Sequence, residues 1–184
     1  MTIAPQTTVH YAVYKDIEDG NPASGTLLEE GETFQEWAGY QRIDLKEEYL
    51  LNKGEKYAVV ITQSYDTDDG KTYAVPYPQN ANTAALFEMG GVTIKSVLNP
   101  GESYIFIDGA WKDFYNFKDE IISSMAADLA SFREETDGDT DDNMLMALIG
   151  NISMDDITLD NFPIKAYLVS VETYNEAKAN EKAD

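Results

Sequence analysis

The sequence predicts an all-β fold, an antiparallel two-sheet β-sandwich interrupted by an inserted α-helical hairpin. Two observations predict the sandwich: many short β-branched and aromatic segments, and turn clusters of Gly, Pro, Asn and Asp that separate them. A third predicts the insertion, because between residues 116 and 160 the apolar spacing changes to three or four residues.

The first strand is read at residues 9–14 (VHYAVY), closed by the turn-rich DIEDGNPASG. Residues 26–28 and 33–37 are read as short strands on either side of a 29–32 turn. Residues 40–45 alternate Tyr40, Arg42 and Asp44 against Gln41, Ile43 and Leu45, which predicts a strand with Ile43 and Leu45 facing the core. Lys53-Gly54 turns the chain into residues 57–64, whose continuous apolar character predicts a central strand. DTDDG at 66–70 ends it, and residues 72–75 return as its partner. Three more short extended segments are read at 84–88, 92–98 and 103–107, and residues 162–171 close the set.

Asn116, followed by Asp119 and Glu120, has the chemistry of a helix N-cap with acids at the positive end of the helix dipole. Phe117, Ile121, Met125, Leu129 and Phe132 then fall on one helical face. DGDTDDN at 137–143 breaks this helix, and residues 144–149 form a second one ending at Gly150. The domain is therefore assigned to residues 1–173 with a helical insertion at 116–160. Residues 174–184 are read as a polar C-terminal tail, a frayed helix or the start of a linker.

A chain of 184 residues suits one domain, and 43% hydrophobic content is enough for a core. The absence of cysteine removes a disulfide framework, a thiolate metal site and a cysteine nucleophile. A net charge of −21 opposes nucleic acid, whose phosphates this surface would repel, and anionic lipid likewise. No apolar run approaches the roughly 20 residues that span a bilayer, so membrane insertion is not expected. Residues 1–14 lack a basic segment followed by an apolar core, so no signal peptide is read there. A cytoplasmic protein and a piece of a longer exported chain both fit that observation.

Four blocks carry a family resemblance. The first holds Gly39, Tyr40, Ile43 and Leu45. The second holds Leu51, Lys53, Gly54, Tyr57, Val59, Val60 and Ile61. The third is GESYIFIDGAWKD at 101–113, with Gly101, Ser103, Tyr104, Asp108, Gly109, Trp111 and Asp113. The last holds Ile164, Lys165, Ala166 and Tyr167. In order and spacing they resemble the lectin-like domain found beside the papain-like (C1) peptidase domain in secreted and cell-surface cysteine proteases of bacteria. The resemblance implies a jelly-roll-like topology and a secreted or cell-surface location. It also implies a non-catalytic module that binds glycan or cell-wall polymer, or positions an adjacent peptidase domain. The other class of function is a structural spacer or protein-interaction domain that binds no sugar.

The residues agree in pointing away from catalysis. His10 is the single histidine and lies in the first strand, read as structural or solvent-facing. Ser103 sits in GESYIF, which lacks the G-x-S-x-G elbow that exposes a nucleophilic hydroxyl. Zinc needs more imidazole or thiolate ligands than one histidine supplies. Calcium takes oxygen ligands only, and the resemblance implies that a structural calcium ion can accompany the fold. Its candidate ligands are Asp108 and Asp113, Glu88, and Asp137, Asp139 and Asp141. Two of these groups have simpler readings. Asp108-Gly109 is also the chemistry of a tight hairpin turn, and Asp113 is also placed to cap the turn into the helix. The 137–148 stretch lacks the glycine and the closing glutamate of an EF-hand, which leaves a solvated acidic loop. For glycan recognition the candidates are Trp37, Tyr65, Tyr73 and Tyr77 as ring platforms, with Asn80 and Asn82 as hydrogen-bonding partners. Trp111 is expected to be a buried anchor.

Overall fold

The computed structural model describes residues 1–76, 79–81, 97–135 and 157–181. They are mostly β. Strands β1 (Thr7–Lys15), β2 (Thr26–Gln35), β3 (Tyr57–Thr67) and β4 (Gly70–Ala74) form one antiparallel sheet in the order β2-β1-β3-β4. Two antiparallel ribbons complete the pairing: β5 (Gln79–Ala81) with β8 (Ile157–Leu159), and β6 (Tyr104–Ile107) with β7 (Ala110–Asp113). Among the described residues, the expected two stacked sheets reduce to this one four-stranded sheet and the ribbons.

The alternation of β1 sets the two faces of the sheet. Thr7, Val9, Tyr11 and Val13 are buried, while His10 is exposed between them. Register carries the same alternation into the neighbours: Tyr11 lies opposite Gly31 and Ile61, and His10 opposite Glu32 and Thr62. A register shift between Val13 and Tyr14 marks a bulge, after which Tyr14 pairs with Leu27.

Beyond β7, Phe114–Phe117 form a 3-10 turn that leads into helix α1 (Lys118–Glu135). The cap is Asp113, not Asn116: its carboxylate accepts from the Tyr115 amide at 3.0 Å and the Gly101 amide at 2.7 Å. The 3-10 turn moves the start of the helical segment three residues upstream of the sequence reading. Leu98, Phe114 and Leu159 form a buried cluster, with Phe117, Ile121, Ile122, Met125 and Phe162 packed on it. The helix stripe therefore does meet the β part of the molecule. Leu129 and Phe132 lie outside the described side chains, and the second helix at 144–149 lies outside the described residues.

Several segments depart from the expected pattern. Residues 26–37, read as two strands around a turn, contain the single strand β2, because Gly31 and Glu29 fit beneath Tyr11. Residues 40–45 are irregular. Here side chains, not a ladder, hold the backbone: Gln41 donates to the Trp37 carbonyl at 2.9 Å, and Arg42 pairs with Asp44. Residues 157–159, assigned to the helical insertion, are instead strand β8, whose Leu159 is 2% exposed within the core cluster. Residues 162–170 are not paired as a strand; Phe162 stacks on Phe114 with ring centroids 4.6 Å apart, and residues 164–170 are exposed. Val171–Glu181 form helix α2, so the described part of the 174–184 tail is helical, and its Tyr174 bonds Glu48. Trp111 is half-buried, edge-on to Phe106 at 5.3 Å, and Phe114 takes the buried position instead. The segments read at 84–88 and 92–96 lie outside the described residues.

Candidate functional site

The outward face of the four-stranded sheet gathers the most recognition chemistry. Phe34 on β2 lies opposite Thr8 on β1, Thr8 opposite Ser64 on β3, and Ser64 opposite Tyr73 on β4. One row thus crosses all four strands with an aromatic ring at each edge; between them Thr8 is half-buried and Ser64 is 3% exposed. Directly paired residues share a face. Phe34 is 59% and Tyr73 69% exposed, so both rings are open to solvent. At about 4.8 Å between strands, the row spans roughly 14 Å.

Beside it runs a second row, Glu32–His10–Thr62, and then a third, Glu30–Ala12–Val60. His10 Nε2 lies 2.9 Å from a Glu32 carboxylate oxygen, with both side chains exposed. These two rows line a shallow depression of about 480 Å³. Such a face offers flat apolar planes, hydroxyl donors and acceptors, and carboxylates, which are the groups that recognise polyhydroxylated ligands.

The opposite face of the sheet is held by a buried carboxylate clamp. Glu29 is 7% exposed, and its carboxylate accepts from the Tyr11 hydroxyl at 2.8 Å, the Tyr49 hydroxyl at 3.1 Å and the Lys46 amide at 2.9 Å. Burial raises the Glu29 pKa, but the hydrogen bonds from Tyr11, Tyr49 and the Lys46 and Glu47 amides outweigh it, and the net shift is downward. Tyr11 is raised, first by its bond to Glu29 and then by burial; Tyr49 is raised by burial and then by Glu29. The clamp ties the 46–49 segment to β2 and β1.

The clamp carries a pH signature. A carboxyl with a lowered folded-state pKa contributes stability that is present above the ordinary glutamate range. That stability is lost as pH falls through the depressed value. Thermal melts from neutral to acidic pH should therefore show a steeper loss in the wild type than in Glu29→Gln. Parallel curves would remove Glu29 from this role. At the alkaline end, Tyr11 and Tyr49 are held protonated, so stability falls again as pH climbs past the ordinary tyrosine range.

The predicted site residues divide. Tyr73 belongs to the aromatic row. Tyr65, opposite Thr72, is on the other face of the sheet, so these two tyrosines do not share a surface. Trp37 follows the end of β2 and is 71% exposed, three residues beyond Phe34. Asn80 pairs with Thr158 in the β5–β8 ribbon. Tyr77, Asn82, Glu88, Asp137, Asp139 and Asp141 lie outside the described residues.

Asp108 and Asp113 sit at opposite ends of the β6–β7 hairpin. Asp108 (φ 54°) and Gly109 (φ 77°) are the two central residues of a left-handed turn, and Asp108 pairs with Lys112 at 3.0 Å. Strand β7 runs four residues from Ala110 to Asp113, so its three residue steps separate the hairpin tip from Asp113 by about 10 Å. A calcium ion holds its oxygens at about 2.3–2.6 Å, so these two carboxylates do not form one site. Among the described residues, no three Asp, Glu or His side chains converge as a metal site. Ser103 is likewise engaged structurally: its hydroxyl donates to Asn161 at 2.9 Å and accepts from the Phe162 amide at 3.1 Å.

Sequence reading missed Phe34, Thr8, Ser64, Thr62, Glu30 and Glu32 as a group. The even-numbered positions of β1 were the available signal, but the row exists only once the β1–β2 register is known. No helix of the described residues is long and apolar enough to cross a membrane.

A family model described as a lectin-like domain matches residues 1–124. The matched residues run through β7 into α1 and contain three of the four motif blocks, leaving 164–167 beyond them. No curated protein and no solved structure matches the chain.

Proposed function

The chain belongs to the lectin-like domain family, and on that premise we propose that it is a non-catalytic module that binds glycan on the outward face of its four-stranded sheet. The observation that carries the reading is the pair of exposed rings, Phe34 and Tyr73, that close the two ends of the row Phe34–Thr8–Ser64–Tyr73, with Thr8 half-buried and Ser64 buried between them. Pyranose rings present an apolar face of C–H groups to an aromatic plane, and their hydroxyls exchange hydrogen bonds with hydroxyl side chains such as the exposed Thr62 in the adjoining row. The buried residues Val9, Tyr11 and Val13 place the core against the other face of the sheet. They also support reading this sheet as one layer of a sandwich whose second layer covers the opposite face.

The setting is proposed from the motif blocks. We read the module as an accessory of an exported, cell-surface papain-like cysteine protease, holding it against cell-wall polymer. The absence of cysteine puts the peptidase nucleophile in another segment of such a protein.

Glycan-array screening followed by calorimetry tests the site. Phe34→Ala and Tyr73→Ala should each weaken binding of the best oligosaccharide about tenfold, as truncation of an aromatic anchor does. Both positions are exposed, so melting temperature should change little. No binding to any glycan at millimolar concentration, or binding indifferent to both substitutions, would reject the site and favour a spacer or protein-interaction domain.

A further inference from the structure

From the charges beside the aromatic row we infer that this face selects oligosaccharides bearing free amines, the glucosamine class, over N-acetylated or anionic ones. The inference rests on the glycan-binding reading and specifies its ligand. Neither aromatic ring carries charge, so discrimination among sugars falls to the two neighbouring rows. Those rows contribute the Glu30 and Glu32 carboxylates and no lysine or arginine. The one basic group among them is His10, already bonded to Glu32 at 2.9 Å. Lys46 directs its ammonium to the Glu30 carbonyl oxygen at 3.5 Å, and no ion pair engages the Glu30 carboxylate among the described residues.

The geometry matches a linear ligand lying across the strands. The roughly 14 Å between the edge strands is the length of a short oligosaccharide rather than a single sugar. A chain seated on Phe34 and Tyr73 passes over the half-buried Thr8 and the buried Ser64, and its ring substituents overhang the depression lined by His10, Glu30, Glu32 and Thr62. An ammonium there meets carboxylates, and an acetamido group does not gain that attraction. A uronate or sulfate is repelled locally and by the net charge of −21.

The test uses the whole chain, a glucosamine tetramer with free amines and its fully N-acetylated counterpart. Calorimetry is run near physiological salt, where the Debye length of about 8 Å removes most long-range attraction. The free-amine tetramer should bind about three- to tenfold tighter, the gain expected from two exposed ion pairs. Glu30→Gln/Glu32→Gln should abolish the difference between the two tetramers. Asp68→Asn/Asp69→Asn, in the β3–β4 turn, removes the same charge elsewhere and should preserve the difference. Equal affinities for the two tetramers in the wild type would overturn the amine preference while leaving glycan binding intact. So would a difference that the Asp68/Asp69 variant removes just as well, since it would then reflect bulk charge. Failure of both tetramers to bind would reject the inference, and absence of binding across the wider array would reject the glycan reading beneath it.

Discussion

Phe114→Ala should lower the unfolding free energy by about 3–5 kcal/mol, the cost of emptying a buried phenylalanine site. In a chain of this size that corresponds to a fall in melting temperature of roughly 6–20 °C. Phe114 is 3% exposed, against Leu98 at 7% and Leu159 at 2%, and its ring contacts Phe162. It joins three parts of the chain: the 3-10 turn after the hairpin, strand β8 and the segment beyond it. Losing it removes one of the three members of the cluster on which Phe117, Ile121 and Met125 pack. The comparison that gives the prediction its edge is Trp111→Ala. Trp111 is half-buried and pairs edge-on with an exposed Phe106, so its removal should cost only about 1–2 kcal/mol. Denaturant titrations of the two variants decide the order. If the tryptophan change were the costlier, the core would lie under the hairpin and not behind it.

That contrast shows what was legible. The W-x-D motif drew attention to Trp111 because tryptophan is the largest apolar side chain available, and large residues dominate cores. In a two-residue hairpin, however, side chains alternate across the ribbon, and Trp111 falls on the half-open side. The chain then enters a 3-10 turn at Phe114, and that change of backbone path, invisible to a pattern of period two, carries Phe114 into the core. Strands β1, β3 and β4 were readable because β-branched and aromatic runs ended at strong turn signals. Strand β2 was not, since Glu29, Glu30, Gly31 and Glu32 all have poor strand propensity. Tertiary context overrides propensity there: the glutamate is held by Tyr11 and Tyr49, and the glycine makes room for a ring. The candidate site shows the same limit. Tyr73 was found as an aromatic beside two prolines, but Phe34 was hidden by the broken reading of β2. Only the pairing Phe34–Thr8–Ser64–Tyr73 turns two separate rings into one surface.

The second large effect is expected at Gly31. A methyl group added there would lie 2.6 Å from the Tyr11 hydroxyl oxygen and 2.7 and 2.8 Å from two carbons of its ring. Two opposing contributions decide the sign of Gly31→Ala. Replacing glycine inside a strand removes an entropic cost of about 0.5–1 kcal/mol, which by itself stabilises. Against it stands overpacking, typically about 1–3 kcal/mol, because distances below contact force the ring to move. Tyr11 has little freedom to do so: it is 8% exposed and its hydroxyl is committed to Glu29. Displacing the ring also strips one hydrogen bond from a carboxylate that burial alone would disfavour. The clash should therefore win, with a net loss in melting temperature and a weaker dependence of stability on acid pH. The decisive measurement is a double-mutant cycle with Tyr11→Leu, which removes the obstructing hydroxyl and ring. In that background Gly31→Ala should become neutral or stabilising, giving a coupling on the order of 1 kcal/mol or more. Additive effects would mean that Gly31 is required for some reason other than the ring above it.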